Sequence, residues 1–135
     1  MQAKRIANAL GADVTGLDLS KPLSKSQAEE LHGLWLEHLV LRFRGQALTP
    51  PQLIEFSRLF GELERHDNYQ SELRHPVHPE LLVVKAREVG GRRITFGQQW
   101  HSDLSYTLRP SKGSVLHCLA LPPVGGDTLF SNMHL

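Results

Sequence analysis

The sequence predicts an α+β fold in which an antiparallel barrel or jelly roll assembles toward the C-terminal end. Three observations carry that prediction. Two capped amphipathic segments lie in the first half, around residues 24–38 and 49–61. Short apolar runs bounded by proline and glycine follow in the second half, at 81–84, 114–120 and 127–130. The composition, 40% hydrophobic and 21% charged over 135 residues, suits one globular domain or part of a larger one.

The elements follow in order. Residues 12–19 alternate Val14, Leu17 and Leu19 with polar residues and read as a short strand or strand pair. Ser24 opens a helix, with Gln27 completing a capping box. Ala28, Leu31, Leu34 and Trp35 form its apolar face, His32 and His38 are expected on the exposed side, and the helix should end near His38. The run Leu39-Val40-Leu41-Arg42-Phe43 reads as a buried strand. Thr49 caps a second helix, Pro50 and Pro51 fill the first turn where no N–H is needed, and Gln52 completes a second box. Leu53, Phe56, Leu59 and Phe60 should face the core, with Gly61 as the stop. Residues 64–79 read as a polar loop, Leu81-Leu82-Val83-Val84 as a strand, and residues 87–93 as a basic, flexible loop whose Arg87, Arg92 and Arg93 make a solvated face. Residues 114–120 are expected as a strand burying Cys118, and a Pro122–Gly126 turn leads to a last strand over 127–130.

Charge and cysteine usage exclude several classes. A formal net charge of +1 makes no case for nucleic acid or an acidic membrane. One cysteine rules out an internal disulfide and a Cys-rich zinc site. Residues 1–14 lack the apolar core of a signal peptide, and no apolar run approaches the ~18 residues of a membrane span, so a cytoplasmic setting is expected.

The stretch that carries chemistry is Trp100-His101-Ser102-Asp103. If extended, it places His101 and Asp103 on one face, within reach of one small ion. An imidazole and a carboxylate are two members of the 2-His-1-carboxylate set of non-haem Fe(II) oxygenases, which leaves positions open for co-substrates. By itself an H-x-D is far more often surface or hydrogen-bonding chemistry, such as a hydrogen-bonded pair at a strand end. His75 and His78 flank prolines in a loop, where no ligand role follows.

Several stretches together resemble the taurine dioxygenase (TauD/TfdA) family of Fe(II)- and 2-oxoglutarate-dependent dioxygenases. They are Leu10-Gly11-Ala12-Asp13-Val14-Thr15-Gly16, Leu48-Thr49-Pro50, Phe60-Gly61-Glu62-Leu63, Trp100-His101-Ser102-Asp103 and Pro122-Pro123-Val124-Gly125-Gly126-Asp127-Thr128. The interval from Asp103 to Thr128 is similar to the family's own. The resemblance implies a double-stranded β-helix, a jelly roll with flanking helices, incomplete in this chain. It implies His101 and Asp103 as iron ligands and Thr128 as the hydroxyl that binds a 2-oxoglutarate carboxylate. It implies His66, Tyr69 and Leu104 as substrate contacts. The cofactor set implied is Fe(II), with 2-oxoglutarate and O2 as co-substrates. The reaction implied is hydroxylation of a small, anionic molecule such as taurine, an alkyl sulfate or an aryloxyacid, with release of succinate and CO2. Partners are then a small-molecule substrate, no nucleic acid and no membrane, with homo-oligomerisation open.

Two departures from the family pattern stand out. The family's second iron histidine and its 2-oxoglutarate arginine lie far downstream, and neither has a match within residues 1–135; His117 and His134 are poor substitutes. Residues 1–135 are therefore expected to be the N-terminal portion of a single dioxygenase domain, inactive alone. The taurine enzyme also carries an asparagine where this chain has Gly97. Two other readings of the same residues remain: a non-catalytic fragment or binding protein, and a zinc hydrolase using His101 and Asp103 with a metal-bound water.

Overall fold

A computed structural model describes residues 1–94, 97 and 99–135. The chain falls into two compact units, Met1–Leu59 with Leu116–Leu135, and Phe60–Val115.

The first unit is built on a three-stranded sheet. β1 (Gln2–Arg5) pairs antiparallel with β2 (Ala12–Thr15), Gln2 opposite Thr15 and Arg5 opposite Ala12. β1 was not expected from the sequence: all four of its residues are exposed, so no apolar alternation marks it. β3 (Leu41–Arg42) runs parallel to β2 and is shorter than the five-residue strand expected. Helix α1 (Lys25–His38) crosses between β2 and β3. Its expected box is formed: Gln27 N–H donates to Ser24 Oγ at 3.2 Å, and Ser24 N–H to Gln27 Oε1 at 2.8 Å.

The exit from α1 is abrupt. Leu39 has φ 64°, and Val40 N–H donates to the His38 carbonyl at 2.7 Å, a γ-turn of the strained kind. The same carbonyl accepts from Gly11 N–H at 2.8 Å, and Ala12 N–H donates to Val40 O at 2.9 Å. The strain is thus offset by docking onto the start of β2. This docking also buries His38, 7% exposed, which corrects the expectation that it faces water.

Helix α2 (Pro50–Arg58) begins where expected, with Thr49 N–H donating to Gln52 Oε1 at 2.8 Å. It ends before Gly61, with Leu59 as its C-cap. Its inward face differs from the expected one: Ile54 and Phe56 are buried, while Leu59 is exposed. Phe56 is buried as expected and packs edge-on against Phe43, centroids 5.6 Å apart. Ala12, Val14, Leu19 and Leu31 complete the buried apolar set of this unit. Gln46 fastens the preceding segment, accepting from Leu19 N–H at 2.9 Å and donating to Leu17 O at 3.2 Å.

The segment Leu116–Leu135 corrects three expectations. Neither 114–120 nor 127–130 is a strand; both are irregular. A strand needs a neighbour for its N–H and C=O groups, and no described residue pairs with these runs. Their apolar side chains stay in water, Leu119 80% exposed and Leu129 70%. Cys118, expected buried, is exposed for the same reason. The segment is held by Asn132 Nδ2 donating to Ala9 O at 2.7 Å and by His117 Nε2 beside Gln46 O at 3.3 Å.

The second unit is mostly loop, as the polar text of 64–79 implied. A 3-10 turn (Ser71–Leu73) buries Leu73. The strand expected at 81–84 is reduced to one bridge, Arg74 opposite Leu82. Residues 87–93 correct the expectation of a flexible loop: β4 (Arg87–Val89) and β5 (Arg92–Ile94) form an antiparallel hairpin. Its turn is Gly90-Gly91 with φ 59° and 73°, the two positive values that a two-residue I′ turn requires. Arg92 is exposed, in keeping with a solvated face; the side chains of Arg87 and Arg93 lie outside the described residues.

Candidate metal-binding pair and its surroundings

His101 and Asp103 come together, although not on a strand. Residues 101–102 are irregular and a turn begins at Asp103. Leu104 adopts φ 50°, a conformation costing of order 1–3 kcal/mol for a side-chain-bearing residue. Both the N–H and the hydroxyl of Thr107 donate to the Leu104 carbonyl, at 3.0 and 2.9 Å, and close the turn. The alternation argument therefore gave the right proximity through the wrong backbone.

The geometry of the pair fixes its chemistry. His101 Nε2 lies 3.2 Å from Asp103 Oδ1. His101 Nδ1 lies 2.8 Å from the Gln99 carbonyl, which only accepts, so Nδ1 carries the proton. In the neutral ring Nε2 then presents a lone pair toward a carboxylate oxygen. That spacing suits a single cation shared by the nitrogen and the oxygen. A ring N–H held by a backbone carbonyl is also the usual outer support of a metal-ligating imidazole. Both side chains are about half exposed, 57% and 53%. As a plain surface ion pair they would contribute at most about 1 kcal/mol.

The donor set fits a divalent ion of the nitrogen-and-oxygen class. Among the described residues no group of three or more His, Cys, Asp or Glu side chains converges. The pair therefore supplies two ligands and no third. His75 is unsuited: its Nδ1 already accepts from Val77 and His78 N–H at 3.2 and 3.1 Å.

The expected substrate residues lie in the same unit. His66 and Tyr69 pack edge to face, centroids 5.2 Å apart. Burial pushes the His66 imidazole below its ordinary value, against the opposing charges of Glu64 and Asp67. His66 Nδ1 is buried with no hydrogen-bond partner among the described residues. The Tyr69 phenol is pushed up, first by burial, then by Tyr106, to which it is hydrogen-bonded, and then by the Asp103 charge. Leu104 is half-buried beside Asp103. Gly97 has φ 72°, and a Cβ there would touch His101 Cε1 at 3.8 Å, so its lack of a side chain leaves one side of the imidazole open.

Thr128 lies exposed in the other unit, on the irregular segment after Gly126. Gly126 has φ 78°, and a Cβ would meet Pro122 Cγ at 2.8 Å, so this turn accepts glycine alone. Two residues of this neighbourhood carry no sequence signal for a role here: Tyr106, which acts on Tyr69, and Ser114, whose Oγ donates to Asp103 Oδ2.

Comparison with known proteins decides the lineage. The family model "Taurine catabolism dioxygenase TauD, TfdA family" matches residues 2–135. The chain belongs to this family. It is 30% identical to an alkylsulfatase of Acinetobacter baylyi over 98% of this chain and 39% of that protein. It is 34% identical to an alpha-ketoglutarate-dependent 2,4-dichlorophenoxyacetate dioxygenase of Cupriavidus pinatubonensis over 95% of this chain and 50% of that protein. Among solved structures, a putative alpha-ketoglutarate-dependent taurine dioxygenase from Burkholderia xenovorans superimposes with a TM-score of 0.66 at 26% identity, covering 81% of this chain and 37% of that one. The TauD/TfdA chain described here thus spans about 40–50% of the length of the curated relatives it matches. Its small sheet and few helices form part of a taurine-dioxygenase-like fold.

Proposed function

We propose that the whole protein is an Fe(II)- and 2-oxoglutarate-dependent dioxygenase that hydroxylates a small anionic substrate. The observation that carries this reading is the convergence of His101 Nε2 and Asp103 Oδ1 with His101 Nδ1–H held by Gln99. Bound there, the metal would supply oxygen activation coupled to decarboxylation of 2-oxoglutarate. The overall conversion is balanced: a substrate C–H, O2 and 2-oxoglutarate become C–OH, succinate and CO2. If the carbon bears a sulfate ester, the hydroxylated product collapses to an aldehyde and sulfate.

The chain's own residues bind and orient. His101 and Asp103 hold the metal. Thr128 contributes a hydroxyl to a 2-oxoglutarate carboxylate. His66, Tyr69 and Leu104 shape the substrate site, with the Tyr69 phenol as a hydroxyl donor. Sulfate esters and aryloxyacids are favoured over taurine, because the position beside His101 is Gly97 and offers no side-chain amide. In the whole protein the runs 114–120 and 127–130 belong to a jelly roll, of which residues 1–135 are the N-terminal portion, working in the cytoplasm. Among the described residues the pair brings two ligands together and no third side chain of His, Cys, Asp or Glu joins them.

Oxygen-dependent succinate formation tests this. The whole protein given Fe(II), 2-oxoglutarate and an alkyl sulfate or aryloxyacid should form succinate, and His101→Ala or Asp103→Ala should abolish it. Succinate formation undiminished by both changes would overturn the assignment.

A further inference from the structure

The two oxygens of Asp103 have different neighbours. Oδ1 faces His101 Nε2 at 3.2 Å, whereas Oδ2 accepts a hydrogen bond from Ser114 Oγ. Neither residue sits in regular secondary structure, so no strand ladder fixes the carboxylate's direction. A hydroxyl bonded to a charged acceptor makes a short, directional hydrogen bond, well suited to that task.

We propose that Ser114 is a positioning residue for the metal, holding Asp103 Oδ2 so that Oδ1 alone turns toward His101 Nε2. This inference rests on the metal-binding reading above. A free carboxylate could swing both oxygens onto one cation and occupy an additional coordination position. With Oδ2 engaged, the pair contributes one nitrogen and one oxygen, and the remaining positions stay available to co-substrate and oxygen. The arrangement is symmetrical in its logic: Gln99 O orients the imidazole through Nδ1, and Ser114 orients the carboxylate through Oδ2. Outer partners of this kind typically change metal affinity 10–100-fold when removed. Ser114 is exposed, so deleting its hydroxyl leaves no cavity.

The test is a Mn(II) titration of the whole protein followed by electron paramagnetic resonance, with metal-free thermal unfolding measured in parallel. Ser114→Ala should bind Mn(II) about 10–100-fold more weakly than wild type with an unchanged metal-free midpoint, and Ser114→Thr should restore binding. His101→Ala serves as the reference for loss of the site. Wild-type affinity in Ser114→Ala, with binding lost in His101→Ala, would overturn the role of Ser114 and leave the metal pair standing. Equal weakness in the alanine and threonine variants would also overturn it, because the hydroxyl would not be what matters. Wild-type binding in His101→Ala would overturn the metal reading and this inference with it.

Discussion

Residues 1–59 and the segment Leu116–Leu135 belong to one compact unit, and the leucines that build the core come from the first and not from the second. Leu31 in α1 is 0% exposed, whereas Leu121 is 85% exposed and Leu135 91%. The difference lies in what each piece needs to become ordered. A helix satisfies its backbone within itself, so a cap and an apolar stripe are enough to place Leu31 against the sheet. A strand satisfies nothing alone, and the apolar run at 114–120 has no neighbour among the described residues. Burial therefore follows the supply of partners rather than the apolarity of the text.

The sharpest way to break this comparison is a pair of truncations. Leu31→Ala should destabilise the unit by about 2–5 kcal/mol, the cost of a buried leucine with partial collapse of its cavity. Leu121→Ala in the same chain should stay within about 0.5 kcal/mol. Equal losses in denaturant unfolding would show that the tail is packed and the contrast false.

Thr128, on the exposed segment, gives a functional version. In the whole protein, Thr128→Val should weaken 2-oxoglutarate binding roughly ten- to hundredfold, from the loss of about 1.5–3 kcal/mol in one hydrogen bond to a charged group. Unchanged calorimetric affinity would reduce Thr128 to a residue of the chain's path.

The capped end of α1 supplies the next smaller effect. Ser24→Ala removes the acceptor of Gln27 N–H and should cost about 1 kcal/mol. A neutral result would mean that packing of Leu31, and not the box, decides where the helix starts.

The smallest effect is one of pH. Arg42 donates two hydrogen bonds to Asp13 across the β2–β3 pair and holds its carboxyl below the ordinary 3.8. A lowered folded-state value means the contribution is present above 3.8 and is lost as pH falls through the folded value. Asp13→Asn should therefore lower stability slightly at neutral pH, by the small amount that suits a partly exposed pair, and flatten the acid limb by that same amount, so that variant and wild type converge below the folded value. An unaltered acid limb would remove Asp13 from the account.

What was legible in the sequence follows the same division. Both helix starts were readable, because Ser24 with Gln27 and Thr49 with Gln52 are local signals. The inward face of α2 was legible at Phe56 but not at Ile54 or Leu59, whose burial depends on what the rest of the unit packs against them. The Gly90-Gly91 pair reads equally as a flexible linker or a tight turn, and the pairing of β4 with β5 selects the turn. The closeness of His101 and Asp103 was legible by their spacing, although a turn and not a strand brings them together. Ser114 was not legible, because its link to Asp103 depends on a turn at Leu104 that no residue preference announces.

The central claim is that His101 and Asp103, and not the other histidines of their unit, hold a divalent metal. Anaerobic Fe(II) binding to the whole protein, compared among wild type, His101→Ala and His75→Ala, tests it most directly. The account predicts loss of binding in His101→Ala and wild-type affinity in His75→Ala, whose Nδ1 is already engaged by backbone N–H groups. Retained Fe(II) binding in His101→Ala, or its loss in His75→Ala, would contradict it.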